Sequence, residues 1–313
     1  MLSGSAEAFG DLANPYRREL LVHCYRMLGS LDDAEDAVQE ALVRAWHGRT
    51  TFQQAISFRA WLYRIATNVC LDAIERRRRA GAGAVSLDVG PAPETLFEDA
   101  SAGPEARYDS HESISLAFLT ALQVLPPRQR AVLILRDVLT WQAREVADLL
   151  ELTVPAVNSA LHRARTTISR QYAPVAAPVA RTTAADPGKL RSLLERYVRA
   201  WEAADVAGLV ALLRDDAVVS MPPGLVISGA TDIGAFLAGS VFGDGVRIRL
   251  VPVKANSGPA FLIYSGLATA PELTAYGVLI VDVDPARLRI ARIGVFVGPH
   301  LTASFGLATR LAS

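Results

Sequence analysis

The sequence predicts a multidomain protein in which two all-α domains precede an α+β domain, and three observations carry that prediction. Apolar residues recur at helical spacing through residues 9–80 and again through 111–172. Two stretches, 81–110 and 173–188, break every such period with glycine, proline and alanine. From residue 189 onward, two amphipathic helical patterns give way to short apolar runs separated by turn residues. Helices followed by antiparallel strands indicate an α+β arrangement.

In residues 9–80, Ala37, Val38, Ala41, Leu42, Ala45 and Trp46 form one helical stripe, and Phe58, Trp61, Leu62, Ile65 and Val69 another. Asp32 or Asp33 is expected to cap the earlier helix, with Glu35 and Asp36 favourable in its first turn; Ser57 is expected to cap the later one. Residues 81–110 hold six acidic groups against one basic, so this linker is expected to be solvated and extended. In 111–172, Pro126 and Pro127 open a helix whose core is Ala131, Leu133, Ile134 and Leu135. A short helix over 141–150 and a tight turn at 151–153 follow. Thr153 then caps a second helix, with Val154, Val157, Leu161, Ala164 and Ile168 as its buried stripe. Prolines make the linker 173–188 semi-stiff. The last domain, 189–313, shows helices over 190–204 and 206–213 and strands over 217–221, 246–253, 260–264, 274–283 and 288–297.

Net charge is zero, yet most of the excess acid sits in the first linker, which leaves the flanking helical segments slightly basic. No segment approaches the ~20 apolar residues of a membrane span, and the N-terminus lacks a basic start and apolar stretch. A cytoplasmic protein without membrane contact is expected. Cys24 and Cys70 sit at apolar positions of helical patterns and read as buried free thiols. No metal or cofactor is expected.

Asp36, Gln39 and Glu40 lie three and four apart and make one polar stripe. The stretch Phe58-Arg-Ala-Trp-Leu-Tyr-Arg-Ile-Ala-Thr-Asn68 joins basic, aromatic and amide side chains, the mix that captures unpaired DNA. A basic run follows at 76–79. Further on, Leu125-Pro-Pro-Arg-Gln-Arg130 leads into a helix-turn-helix pattern ending His162-Arg-Ala-Arg165, whose second helix fits a major groove. In this order, these motifs resemble the extracytoplasmic-function (ECF) sigma factors of bacterial RNA polymerase. The resemblance implies sigma region 2 over 9–80 and sigma region 4 over 111–172. It implies that Asp36, Gln39 and Glu40 contact the largest subunits of core polymerase, and that Arg59, Arg64, Asn68, Arg76 and Arg77 take the minus-ten element of promoter DNA. Asn158, Ser159, His162, Arg163 and Arg165 would take the minus-thirty-five element. Asn158 and Ala160 stand where arginine is frequent in the family, which puts the upstream sequence preference in doubt.

The last domain resembles the SnoaL-like, NTF2-like cone fold, through its opening helix Leu193 to Trp201, the helix from Asp205, the segment 217–223 and the strands after it. This likeness implies an apolar pocket for a small hydrophobic ligand, with Tyr197, Trp201, Met221, Phe236, Asp282 and Phe296 as its expected lining. Among the carboxylates, Asp282 is expected to have the best chance of facing inward. No catalytic residue is assigned. Three readings stay open: a sigma factor regulated in cis by the cone, a ligand-responsive helix-turn-helix regulator, and a sigma factor whose cone is an isomerase- or cyclase-like enzyme.

Overall fold

The computed structural model describes residues 6–52, 57–80, 89–97, 116–175, 186–221, 224–243, 245–256, 258–299 and 301–312. They fall into two compact units. One takes in residues up to 90 together with 96–175, and the other takes in 91–95 and everything after 175.

The first unit is helical: α1 (Ala6–Leu28), α2 (Leu31–Gly48), α3 (Phe58–Arg79), α4 (Leu116–Gln123), α5 (Pro127–Leu133), α6 (Ala143–Leu150) and α7 (Val154–Val175). A π-turn, Ile134–Val138, prolongs α5. Helix α1 stops because Gly29 adopts a left-handed φ of +81°. Ser30 is then extended, and its hydroxyl, not Asp32 or Asp33, accepts from the Asp33 N–H at 3.3 Å to cap α2. Ser57 caps α3 as expected, accepting from the Ala60 N–H at 3.1 Å. The core holds Leu20, Tyr25, Met27, Leu62 and Tyr63 from the first three helices and Leu119, Leu122, Ile134 and Leu135 from the next two. Cys24 and Cys70 are buried free thiols. Val157, Leu161 and Ala164 form the buried stripe of α7, but Val154 is exposed, because it opens the helix one turn beyond the core.

The carbonyls at the end of α1 have no partner within their own helix. The next helices supply one. Gln123 Nε2 donates to Arg26 O at 3.4 Å, and buried Arg130 donates to Met27 O, to Gln123 O at 2.8 Å and to Leu125 O at 3.3 Å. Burial lowers the Arg130 pKa to about 10.

Part of the acidic linker is not solvated. Gly90 N–H donates to Gly29 O at 2.9 Å, the Tyr25 hydroxyl donates to Gly90 O at 2.7 Å, and Val89 is buried. Leu96 O accepts from Arg18 Nε at 3.0 Å, and Phe97 packs on Tyr25. Backbone pairing and apolar burial there outweigh the solvation of the neighbouring acids. The remainder of 81–110, like most of the linker 173–188, lies outside the described residues.

The second unit confirms the α+β expectation. Helices α8 (Pro187–Glu202) and α9 (Val206–Leu212) are capped by Asp186 and Asp205, which accept from the backbone N–H groups of Gly188 and Gly208, each at 2.8 Å. The strands are β1 (Leu213–Met221), β2 (Leu225–Ser228), β3 (Val246–Ala255), β4 (Gly258–Leu267), β5 (Glu272–Asp284), β6 (Arg289–Val297) and β7 (Arg310–Ala312). Helix α10 (Ala230–Phe236) runs into a π-turn, Leu237–Val241, and α11 (Leu301–Ser304) is a single turn. The sheet runs β2-β1-β6-β5-β4-β3, with β1 and β6 parallel and β7 added to β5. Strands β2 and β7 are too short to carry a readable alternation. The core lies between α8, α9 and α10 and one sheet face, with Tyr197, Leu209, Ile233, Phe261, Leu279 and Val281 at its centre.

Residues 91–95 belong to this unit. Pro93 bridges Ala255, the Ala92 N–H donates to Asn256 Oδ1 at 2.9 Å, and the Asn256 N–H donates to Ala92 O at 3.3 Å. Asn256 is buried, and its φ of +49° turns β3 towards β4.

His23 is the clearest stability switch. The Thr67 hydroxyl donates to Tyr63 O at 2.7 Å, so its oxygen accepts from His23 Nε2–H at 2.9 Å and the imidazole is neutral. Burial first, and Arg26 second, lower its pKa to about 3. The unfolded chain takes up a proton near pH 6.5 that the folded chain refuses down to about pH 3. The stability linked to this group is therefore complete above pH 6.5 and is lost as pH falls towards 3, with a slope of about 1.4 kcal/mol per pH unit. Urea unfolding between pH 7 and pH 4 should show this loss, and His23→Gln should shallow the slope; an identical slope in the variant refutes the assignment.

Candidate nucleic-acid interface and cone cavity

Asp36 and Gln39 are exposed on one face of α2. Glu40, next to them, is committed to neighbours: Arg44 at 2.5 Å and Arg76 at 3.7 Å. Arg77 pairs with Asp33, so both arginines at the end of α3 are tied to acids of α2.

The other residues of α3 meet α6 and the chain around it. Arg59 donates to Glu19 Oε2 through Nε at 2.9 Å and Nη2 at 2.8 Å, which holds its pKa up. The same guanidinium lies 5.1 Å from the Tyr63 ring centroid and 5.6 Å from that of Trp141. The Tyr63 and Trp141 rings pack tilted against each other, with centroids 5.1 Å apart. Arg64 pairs with Glu151, the left-handed residue that ends α6. Exposed Asn68 borders a small cleft shared with Arg128, Leu150 and Glu151. Arg64 and Asn68, one turn apart on α3, thus share the neighbourhood of Glu151, whereas Arg59 lies apart from them beside Glu19 and Trp141.

On α7, Asn158, Ser159, His162 and Arg163 are exposed together, at the spacing that gives one helix face. Arg165 is exposed but held by Asp137, with Nε and Nη2 donating at 2.9 and 2.7 Å, and that pairing raises its pKa. Glu19, Asp137, Trp141 and Glu151 were not anticipated as partners, because no local sequence signal links them to the arginines they meet.

The cone encloses a cavity of about 310 Å³. Tyr197 and Trp201 from α8, Met221 from β1 and Phe236 from α10 line it, as expected from the sequence. Asp282 and Phe296 do not. Side chains alternate along a strand: Leu279 on β5 and Ile293 and Val295 on β6 face the cavity, and Asp282 and Phe296 have the opposite parity. Asp282 stands opposite Arg292 on β6; burial raises its pKa, and Arg292 works against that rise. Tyr276 enters the lining because a bulge between Ile263 and Tyr264 leaves it unpaired with β4. Such a bulge leaves no trace in the apolar pattern, and neither Ser240 nor Ser265, also in the lining, was anticipated. No Asp, Glu, His, Lys or Arg is among the described lining residues. Among the described residues there is no metal-type cluster, and no helix is long and apolar enough to cross a membrane.

Comparison with known proteins agrees with this architecture. Family models for sigma-70 region 2, sigma-70 region 4 and the SnoaL-like domain match residues 12–80, 115–168 and 194–293. The ECF RNA polymerase sigma factor SigG of Mycobacterium tuberculosis is 40% identical over 323 residues, covering 97% of this chain and 85% of its own length. SigW of Bacillus subtilis is 30% identical over 170 residues, 54% of this chain and 90% of its own. Among solved structures, the Mycobacterium tuberculosis ECF sigma factor SigJ aligns with 94% of this chain and 98% of its own, with a TM-score of 0.61 at 20% identity, a likeness of fold. Two helical sigma domains in order, a SnoaL-like domain after them and a relative matched along nearly the whole chain make this protein a member of the ECF RNA polymerase sigma factor family.

Proposed function

We propose that this chain docks on the largest subunits of core RNA polymerase through the α2 face carrying Asp36 and Gln39, with Glu40 at its edge, and directs initiation at promoters read by α3 and α7. On α3 the DNA contacts are Arg59, Arg64 and Asn68, with Arg76 and Arg77 on phosphates. On α7, Asn158, Ser159, His162 and Arg163 enter the major groove, and Arg165 joins them on leaving Asp137. The observation that carries this reading is the pairing, in one chain, of an exposed acidic-amide stripe on α2 with an exposed polar stripe on a helix-turn-helix. A simple repressor needs only the second.

The arrangement of the helical unit adds a requirement. Arg59, Tyr63 and Arg64 meet Trp141 and Glu151, so α6 has to leave α3 before α3 takes DNA. The Arg64–Glu151 pair is exposed and contributes only ~0.2–1 kcal/mol. Burial of Trp141 and the Arg130–Met27 contact hold the two domains more firmly. Polymerase binding at separated surfaces would supply the opening energy.

The cone acts as a regulator in cis rather than as an enzyme. Residues 91–95, from the connection between the two sigma domains, hydrogen-bond to its β3–β4 turn, which supports regulation through that connection. Proton transfer in such folds needs an acid or base in the cavity. The described lining offers no carboxylate, imidazole or amine for that role, and Asp282 has the wrong parity. The cavity instead suits a small apolar ligand.

Three experiments test these assignments. In run-off transcription with core polymerase, Asn68→Ala should weaken open-complex formation by roughly 5- to 150-fold, the equivalent of one base contact of ~1–3 kcal/mol, and spare core binding. Asp36→Arg should do the reverse. Two variants with the same defect refute the division of labour. Spin labels on V43C and S169C should move apart when core polymerase is added; an unchanged distance in the active complex refutes the opening step. Deletion of 186–313, and separately Asn256→Ala, should change promoter output in the same direction with core affinity retained, and unchanged output in both removes regulation through the connection.

A further inference from the structure

Cys24 and Cys70 are the only cysteines of the chain, and the fold brings them together across two helices. Helices α1 and α3 run side by side in the same direction. The Tyr63 hydroxyl donates to Glu19 Oε2 at 3.3 Å, the His23 ring packs on that of Tyr63 with centroids 5.0 Å apart, and His23 Nε2 donates to Thr67 Oγ1 at 2.9 Å. Cys24 follows His23, and Cys70 lies one turn beyond Thr67 on the same face, because residues three and four apart on a helix line up. Both thiols are fully buried, and neither is in a disulfide. Hydrogen bonding to Cys24, together with burial, holds the Cys70 pKa well above the ordinary thiol value.

Arg130 stands beside the pair. Its positive charge acts on Cys70 in the opposite sense, favouring the thiolate. The same guanidinium donates to Met27 O, near the end of α1 that carries Cys24, and to the carbonyls of Gln123 and Leu125. Two thiols and the cation that ties the helical domains thus share one buried neighbourhood. A single buried cysteine packs as a small apolar residue. Two facing thiols can in addition give up two hydrogens for a covalent bond.

We infer that Cys24 and Cys70 form a reversible disulfide on meeting hydrogen peroxide, and that the bond alters initiation through Arg130, a consequence that rests on the function proposed above. One sulfur attacks a peroxide oxygen, the O–O bond breaks and the first water leaves, which gives a sulfenic acid. The second sulfur then displaces the hydroxyl, which departs with the second thiol proton as another water. Two thiols are oxidised and one peroxide is reduced. Burial selects the oxidant: hydrogen peroxide is little larger than water and enters through local opening, whereas a bulky disulfide such as oxidised glutathione needs a thiolate at the surface. An S–S bond of about 2.0 Å draws α1 and α3 together near the end of α1, and the Met27 carbonyl moves away from Arg130.

The full-length chain, treated with hydrogen peroxide in the absence of denaturant, alkylated and digested, tests the site by mass spectrometry without any variant. The peptides of Cys24 and Cys70 should appear joined, two hydrogens lighter than their sum, and dithiothreitol should separate them. Oxidised glutathione should leave both thiols free. Unjoined peptides, separate sulfinic acids or links between two chains overturn the site, and glutathione on either sulfur overturns the choice of oxidant. Run-off transcription with core polymerase then compares oxidised and reduced protein, whose yields should differ by roughly fivefold or more, with dithiothreitol restoring the reduced value. Cys70→Ala should hold its yield constant under peroxide. Joined peptides with an unchanged yield overturn the coupling through Arg130, whereas a reduced chain that never initiates overturns the proposed function and leaves the peptide result standing.

Discussion

A guanidinium buried without a carboxylate organises the helical unit. Arg130 sits in a cage of carbonyls, those of Met27, Gln123 and Leu125, with the side-chain oxygen of Gln123 completing it. The end of α1 carries partial negative charge and orphan carbonyls, and a cation is the group that best answers both. The cost of burying that charge shows in its lowered pKa. Because the Arg belongs to the second helical domain and the carbonyl of Met27 to the first, helix-end chemistry is what joins them.

The same logic governs the arginines of α3 and α7. Four of them are matched by a carboxylate from another element of the unit: Arg59 by Glu19, Arg64 by Glu151, Arg77 by Asp33, Arg165 by Asp137. A phosphate oxygen offers a guanidinium much what a carboxylate does. The acids therefore hold these arginines where they stand and, on the proposed DNA-binding role, would compete with phosphate for them. Exposed pairs are weak, so this competition sets a threshold rather than a lock.

The cone separates fold from chemistry. Its sheet, helices and cavity match a fold that hosts enzymes elsewhere, but function lives in the residues placed on it. Strand parity sends Asp282, the carboxylate of β5 that was expected inside, to the opposite face. Tyr197 and Trp201, set edge to face on α8, line the cavity instead. Among the described residues that lining holds no carboxylate, imidazole or amine.

The sequence by itself determined the order of domains, the helices and most strands, because apolar periodicity is local and each pattern spans enough residues to be read. It also determined the Ser57 cap, the buried thiols and four of the six cavity residues proposed, Tyr197, Trp201, Met221 and Phe236. Tertiary structure alone decided the rest. Whether Asp282 faces in or out depends on strand register, and the entry of Tyr276 depends on a bulge, features that pairing partners impose. The packing of residues 89–97, the cage around Arg130 and the carboxylate partners of the arginines join positions up to 164 residues apart. No local pattern encodes such contacts, since they arise only when the folded chain brings orphan polar groups to one another.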